Sequence, residues 1–194
     1  MKKTECLVEM NGKVVLHVWT PEGEVRHLLQ ICHGMSEYIE RYNSFAEEMV
    51  KKGFLVFGID HPGHGKSDGE RGFFSKKKGW DYLVRCNIGA ASLLKARNPG
   101  VKLTILGHSM GSFIARTIAG YYADTADDYI FMGTAGPNAA VGAGRVIASF
   151  LAWLNPKAKS NFLYSLSTKP YGSAEKSYKT EYDWLSRDEG VVER

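Results

Sequence analysis

A chain of 194 residues with a formal net charge of +4, 44% apolar and 24% charged residues has the make-up of one soluble globular protein with a sizeable core. That composition excludes a disordered, fibrous or low-complexity chain, and no apolar run reaches the ~20 residues a membrane-spanning helix needs. Lys2 and Lys3 resemble the start of a signal peptide, but Glu5, Glu9, Asn11 and Gly12 interrupt the apolar core one requires.

The elements follow in chain order. Glu5–Met10 and Lys13–Thr20 are β-rich runs joined by Asn11–Gly12, a strong two-residue hairpin signal. Val25–Cys32 is a more continuous apolar strand. A helix follows in which Ile39, Tyr42, Phe45, Ala46, Met49 and Val50 recur at helical spacing, closed by Gly53. Phe54–Ile59 is apolar on both faces, as a parallel strand between two helix layers requires, and ends in the turn DHPGHGKSDG. Lys76–Lys78, beside Arg71 and Gly72, read as a solvated loop rather than a nucleic-acid surface. Trp80, Leu83, Val84, Ile88, Ala91 and Leu94 mark an amphipathic helix stopped by Asn98–Gly100, and Lys102–Leu106, Met110–Tyr122 and Tyr129–Gly133 are the next strand, helix and strand. The alternation implies an α/β fold, a mainly parallel sheet with helices on both faces behind an antiparallel hairpin. After Gly133 the rhythm breaks: Ala135–Gly144 is rich in small residues, Arg145–Leu154 reads as an apolar helix, and no further buried strand is legible.

Gly107-His108-Ser109-Met110-Gly111 is a G-x-S-x-G sequence placed directly between a strand and a helix, the setting in which that motif forms a nucleophile elbow. Ser109 is the expected nucleophile; the plainer alternative is an incidental serine in a strand-to-helix turn. Acyl transfer also needs two preorganised N–H donors. The backbone amides of Met110 and of Met35, in the loop His33–Ser36 that follows another strand, are the expected oxyanion hole. For Met35 the alternative is apolar packing beneath its loop.

HGMSEYIERY, DHPGHGKSDGERG and GHSMGS, taken in that order, resemble the monoacylglycerol lipase and lysophospholipase branch of the α/β-hydrolases, whose bacterial members include serine aminopeptidase-like proteins. DWLSRD at Asp183–Asp188 is similar to a late lid segment of bacterial relatives. The resemblance implies a hydrolase core over 1–136 and a cap over 137–194, Ser109 as nucleophile, Met35 and Met110 as oxyanion donors, and single-chain lipid esters as small-molecule substrates. It also implies that Ile147, Phe150, Leu151 and Leu154 line an acyl tunnel or make transient contact with a membrane surface, unless they simply pack a lid helix onto the core.

One departure stands against that pattern. The triad of this fold runs Ser, acid, His along the chain, yet the six histidines are His17, His27, His33, His61, His64 and His108, all before Ser109. His33 and His61 are the nearest substitutes. His108 is expected to point into the structure, and Asp60 and Asp68 to hydrogen-bond their own turn. Asp124, Asp127, Asp128, Asp183 and Asp188 follow the serine, but none ends a predicted parallel strand, so no triad acid is assigned. The reading is therefore the front portion of a serine ester hydrolase, with its last strands missing and β-edge exposed. A non-catalytic binding module and an amidase or peptidase are the alternatives. No cofactor and no metal are expected. Cys6, Cys32 and Cys86 have unrelated spacings and read as reduced core residues of a cytoplasmic protein.

Overall fold

The computed structural model describes residues 2–9 and 12–136, with the isolated positions Ser149, Asn155 and Lys157. The chain divides into two compact units, Met1–Gly136 and Pro137–Arg194, and the architecture that follows is that of the first. Ile147, Phe150, Leu151, Leu154 and the DWLSRD segment lie outside the described residues, as do the expected cap and its tunnel.

Six strands form one sheet in the order β1-β2-β4-β3-β5-β6. β1 (Lys2–Glu9) and β2 (Gly12–Trp19) are antiparallel, with Glu9 opposite Gly12, so the expected hairpin forms, but Gly12 opens the second strand instead of lying in the turn. β2 also runs antiparallel to β4 (Phe54–Ile59). β4, β3 (His27–Cys32), β5 (Leu103–His108) and β6 (Asp128–Met132) are parallel. Their carboxyl ends therefore meet along one edge, where ligands of open α/β sheets bind.

Side chains two apart share a face of a strand, and here both faces are apolar. Leu28, Leu55, Phe57, Leu103 and Ile105 join Leu83 and Leu94 of α2 (Gly79–Arg97) and Ile114 and Ile118 of α3 (Met110–Tyr121) in one cluster. Leu29, Ile31, Val56 and Leu106 join Trp19, Ile39 and Ala46 in a second cluster, flanked by Met49 and Val50 of α1 (Asn43–Lys51). This two-sided burial is why the parallel strands read as unbroken apolar runs.

Two details differ from the sequence reading. The helix expected from Ile39 opens as a 3-10 turn, Ile39–Tyr42, before α1 begins. Three residues per turn shift the phase of the apolar stripe; Ile39 and Ala46 are buried, while Phe45 is 41% exposed and outside the core. The strand expected from Val25 begins at His27. β6 carries Ile130, Phe131 and Met132 at 48%, 42% and 47% exposure, and no strand pairs beyond it among the described residues. The exposed apolar edge is thus as expected.

Phe57 is fully buried at the centre of the sheet, so Phe57→Ala is expected to cost about 3–5 kcal/mol of unfolding free energy. Phe45→Ala should cost a small fraction of that, and paired denaturant melts of the two variants check the contrast.

Candidate active site

Between the end of β5 and the start of α3, Ser109 adopts φ 52°, ψ −119°, a conformation worth roughly 1–3 kcal/mol of strain for a residue with a side chain. Its neighbours explain the strain. A Cβ on Gly107 would lie 2.2 Å from the Gly111 carbonyl oxygen, and one on Gly111 would lie 1.8 Å from that of Cys32. Helix α3 is pressed against the carboxyl ends of β5 and β3 at distances only glycine permits. The turn is then tied down: Ser109 N–H donates to Met132 O (2.9 Å), and Ser112 donates to Ser109 O through its N–H (2.9 Å) and its hydroxyl (2.6 Å). Ser109 is left half-buried at the N-terminus of α3, where the helix dipole favours developing negative charge.

The loop after β3 comes to the same point. A Cβ on Gly34 would sit 3.2 Å from Ser109 Cβ, so the HGMS segment lies directly against the serine. Met35 donates no backbone hydrogen bond among the described residues, and Met110 N–H belongs to the first turn of α3, whose amides have no intrahelical acceptor. The Met35 side chain is 53% exposed, which excludes packing beneath the loop as the reason for its position. Ser36, with φ 59°, adds a second strained residue to this corner.

The DHPGHGKSDG turn supports that loop from behind. Asp60, fully buried, accepts from His17 Nε2–H (3.1 Å), Lys66 N–H (2.9 Å) and Ile39 N–H (2.9 Å). Burial alone would raise its carboxyl, but His17 and the two amides outweigh burial and hold it below the ordinary carboxylate range. Asp68 bonds its own turn through its backbone carbonyl, which accepts from Gly63 N–H (3.0 Å), while its carboxylate accepts from Lys13 N–H of β2 (3.0 Å), because the turn folds back across the hairpin. Ser67 makes the bond the turn needs, donating to Asp60 O (2.6 Å) and accepting from Val15 N–H (2.8 Å).

No histidine reaches Ser109 by a hydrogen bond among the described residues. His33 Nε2 accepts from His61 N–H (3.0 Å), so its proton sits on Nδ1, which donates to Gly34 O (2.8 Å). His61 Nε2–H donates to His33 O (3.0 Å), and the two rings stack at 3.8 Å. Both are fully buried. Burial pushes His33 down to about 4, and burial with the neighbouring His33 pushes His61 well below the usual histidine value. His64 is held by Pro62 O, and His27 by Thr104. His108 turns away from the serine as expected but not into the interior: it is 38% exposed and pairs with Glu37 (3.2 Å). Of the acids after Ser109, Asp127 accepts from Leu103 N–H (2.8 Å) and serves the sheet; Asp183 and Asp188 lie outside the described residues.

Glu37 is the residue the sequence reading passed over. Its Oε1 accepts from Gly34 N–H and from Tyr42 OH (3.0 Å) as well as facing His108. The available signal was its place three residues after a loop glycine, the spacing at which a carboxylate reaches back to an upstream amide. Cys32 and Cys86 are buried free thiols; burial pushes Cys32 up to about 12, leaving it unreactive. Lys76–Lys78 are exposed as expected. A cavity of about 570 Å³ bordered by Pro21, Arg26 and Gly53 lies at the amino ends of β3 and β4, the opposite edge from Ser109.

Comparison with known proteins now bears on this geometry. The serine aminopeptidase, S33 family matches residues 23–194. The chain belongs to that family of α/β-hydrolases. It is 30% identical to human monoglyceride lipase over 94% of this chain and 58% of that protein. It is 32% identical to the monoacylglycerol lipase of Mycolicibacterium smegmatis over 64% of this chain and 42% of that protein. A carboxyl esterase from Bacillus coagulans, solved with glycerol, superposes with a TM-score of 0.89 at 24% identity, covering 99% of this chain and 64% of its own. The fold is that of an α/β-hydrolase of the monoglyceride lipase type, and the chain spans about half the length of the curated relatives it matches. No helix among the described residues is long and apolar enough to cross a membrane.

Two buried neutral histidines make stability pH-dependent in a definite direction. As pH falls through about 6.5 the unfolded chain takes up protons that His33 and His61 refuse in the fold, so the contribution of His33 is complete above that value and is lost toward about pH 4, and that of His61 falls in the same direction. Thermal melts should show a loss on the order of 2 kcal/mol from His33 by about pH 5. An unchanged melting temperature from about pH 7 to about pH 5 contradicts this assignment.

Proposed function

We propose that this family member hydrolyses carboxylic esters through an acyl-Ser109 intermediate, with Met35 and Met110 amides receiving the negative charge of the tetrahedral intermediate. The observation that carries the reading is convergence: a strained serine at the N-terminus of α3 lies against a loop so close that a Cβ on Gly34 would sit 3.2 Å from Ser109 Cβ, and Met35 N–H of that loop has no other acceptor among the described residues. A binding module has no need of such strain, which persists only where the surroundings enforce it.

The chemistry needs a base. Ser109 Oγ attacks the ester carbonyl carbon while its proton passes to a base; the carbonyl oxygen becomes the oxyanion, and collapse expels the alcohol, which takes up a proton. Every histidine of the chain is engaged elsewhere, so the reading takes the base from polypeptide outside these 194 residues. β6 supports this reading: it is parallel to β5, apolar and exposed on its outer edge, and its end is bonded to the elbow through Met132 O. A further parallel strand there would bring its following loop to Ser109.

The substrates are single-chain lipid esters of the monoacylglycerol or lysophospholipid class. The support is the likeness to the human and mycobacterial lipases together with the exposed Met35 in the loop that lies against the serine. The same likeness assigns residues 137–194 the role of a cap, with transient contact with a lipid surface in the cytoplasm.

Intact mass after fluorophosphonate treatment tests the proposal on this chain, on Ser109→Ala, and on any longer form of the gene product. Labelling of the longer form at Ser109, with hydrolysis of monoacylglycerol that Ser109→Ala abolishes, is the expected result. Labelling of the 194-residue chain itself shows a local base, while a longer form that neither labels nor hydrolyses ester or amide leaves the binding module.

A further inference from the structure

The two peptide units that flank Gly34 are held at almost every polar atom. His33 C=O accepts from His61 Nε2–H (3.0 Å). Gly34 N–H donates to Glu37 Oε1. Gly34 C=O accepts from His33 Nδ1–H (2.8 Å). The remaining group is Met35 N–H, which in a trans peptide points opposite to the Gly34 carbonyl and has no acceptor among the described residues. Of the four polar groups in these two peptide units, Met35 N–H is the one left without a partner among the described residues, in the loop that lies against Ser109.

Two of these contacts come from neutral histidines. The third is to a charge. Glu37 is 14% exposed, and its Oε1 gathers Gly34 N–H, Tyr42 OH (3.0 Å) and His108 Nδ1 (3.2 Å), while Oε2 lies 3.8 Å from Arg41 Nε. Burial and the adjacent Glu37 charge push the Tyr42 hydroxyl up, so it stays protonated and donates. Charge-assisted bonds of this kind are about twice as strong as neutral ones. A carboxylate with several donors on a single oxygen, tied both to the oxyanion loop and to the residue preceding the nucleophile, is placed to fix the relation between them.

We infer that Glu37 is a positioning residue: by holding Gly34 N–H and His108 it orients the Gly34–Met35 peptide so that Met35 N–H, rather than Gly34 N–H, faces the oxygen developing on a group bonded to Ser109. The inference deepens the proposed function and rests on Ser109 being the nucleophile. Gly34 N–H is occupied and takes no part in the oxyanion hole.

The test compares wild type, Glu37→Gln and Glu37→Ala in whichever form of the gene product labels at Ser109, with fluorophosphonate as the probe. Labelling is resolved into reversible binding, KI, and bond formation, kinact. Glu37→Ala is expected to lower kinact by about tenfold or more at unchanged KI, short of the 10²–10³-fold loss of a whole oxyanion donor. Glu37→Gln, which keeps an acceptor for Gly34 N–H, should recover part of the rate. An unchanged kinact in a folded Glu37→Ala variant overturns the inference, as does a fall confined to KI. Amide NMR of Gly34 and Met35 provides the second arm. In wild type Gly34 N–H should be shifted downfield and protected from exchange while Met35 N–H exchanges freely, and Glu37→Ala should release Gly34. If no form labels at Ser109, the nucleophile reading fails by itself, and a Gly34 amide indifferent to Glu37→Ala overturns the positioning role separately.

Discussion

The contact on which the rest of the structure depends is backbone against backbone, where Gly107 and Gly111 let α3 meet the carboxyl ends of β5 and β3 with no room for a Cβ. Close packing at these two points sets the angle of the helix and forces Ser109 into its strained conformation. The same approach brings Cys32 and His33 of the neighbouring strand against the elbow, and with them the Gly34–Met35 loop. Strain at the serine is thus sustained by the packing of three elements.

Behind that contact lies a second layer made of buried polar groups. Asp60 joins β2 through His17, its own turn through Lys66, and the start of the 3-10 turn through Ile39. His33 and His61 hold each other and the oxyanion loop. Asp60, His17, His33 and His61 each find at least one partner in this layer, while the second ring nitrogens of His17 and His61 are buried without one among the described residues. The histidines near Ser109 thereby serve the loop as fixed neutral donors and acceptors, which removes them from acid–base work.

Much of the fold was legible because periodicity and punctuation agreed. Phe54–Ile59 is a strand to the residue, and Asn98–Gly100 and the G-x-S-x-G sequence each mark a boundary the structure keeps, while the hairpin forms with Gly12 in its second strand. Phe45 was misplaced because a 3-10 turn resets the helical phase, a change that side-chain spacing alone does not signal. The Asp68 carboxylate was assigned to its own turn because its partner, Lys13, lies 55 residues away. Glu37 escaped notice for the same reason: the His108 contact that gives it meaning spans 71 residues. Local chemistry reads well from a sequence, whereas exchange of hydrogen bonds between distant loops does not.

On the proposed function, Ser109 attacks, the Met35 and Met110 amides receive the oxyanion, and the base is delivered beside β6. A crystal structure of a phosphonate adduct on the form that labels tests this most directly, because the phosphoryl oxygen occupies the place of the oxyanion. The account predicts that oxygen on Ser109's adduct about 2.7–3.1 Å from both Met35 N and Met110 N. A phosphoryl oxygen turned to solvent, or bonded to Gly34 N–H in place of Met35 N–H, would contradict it.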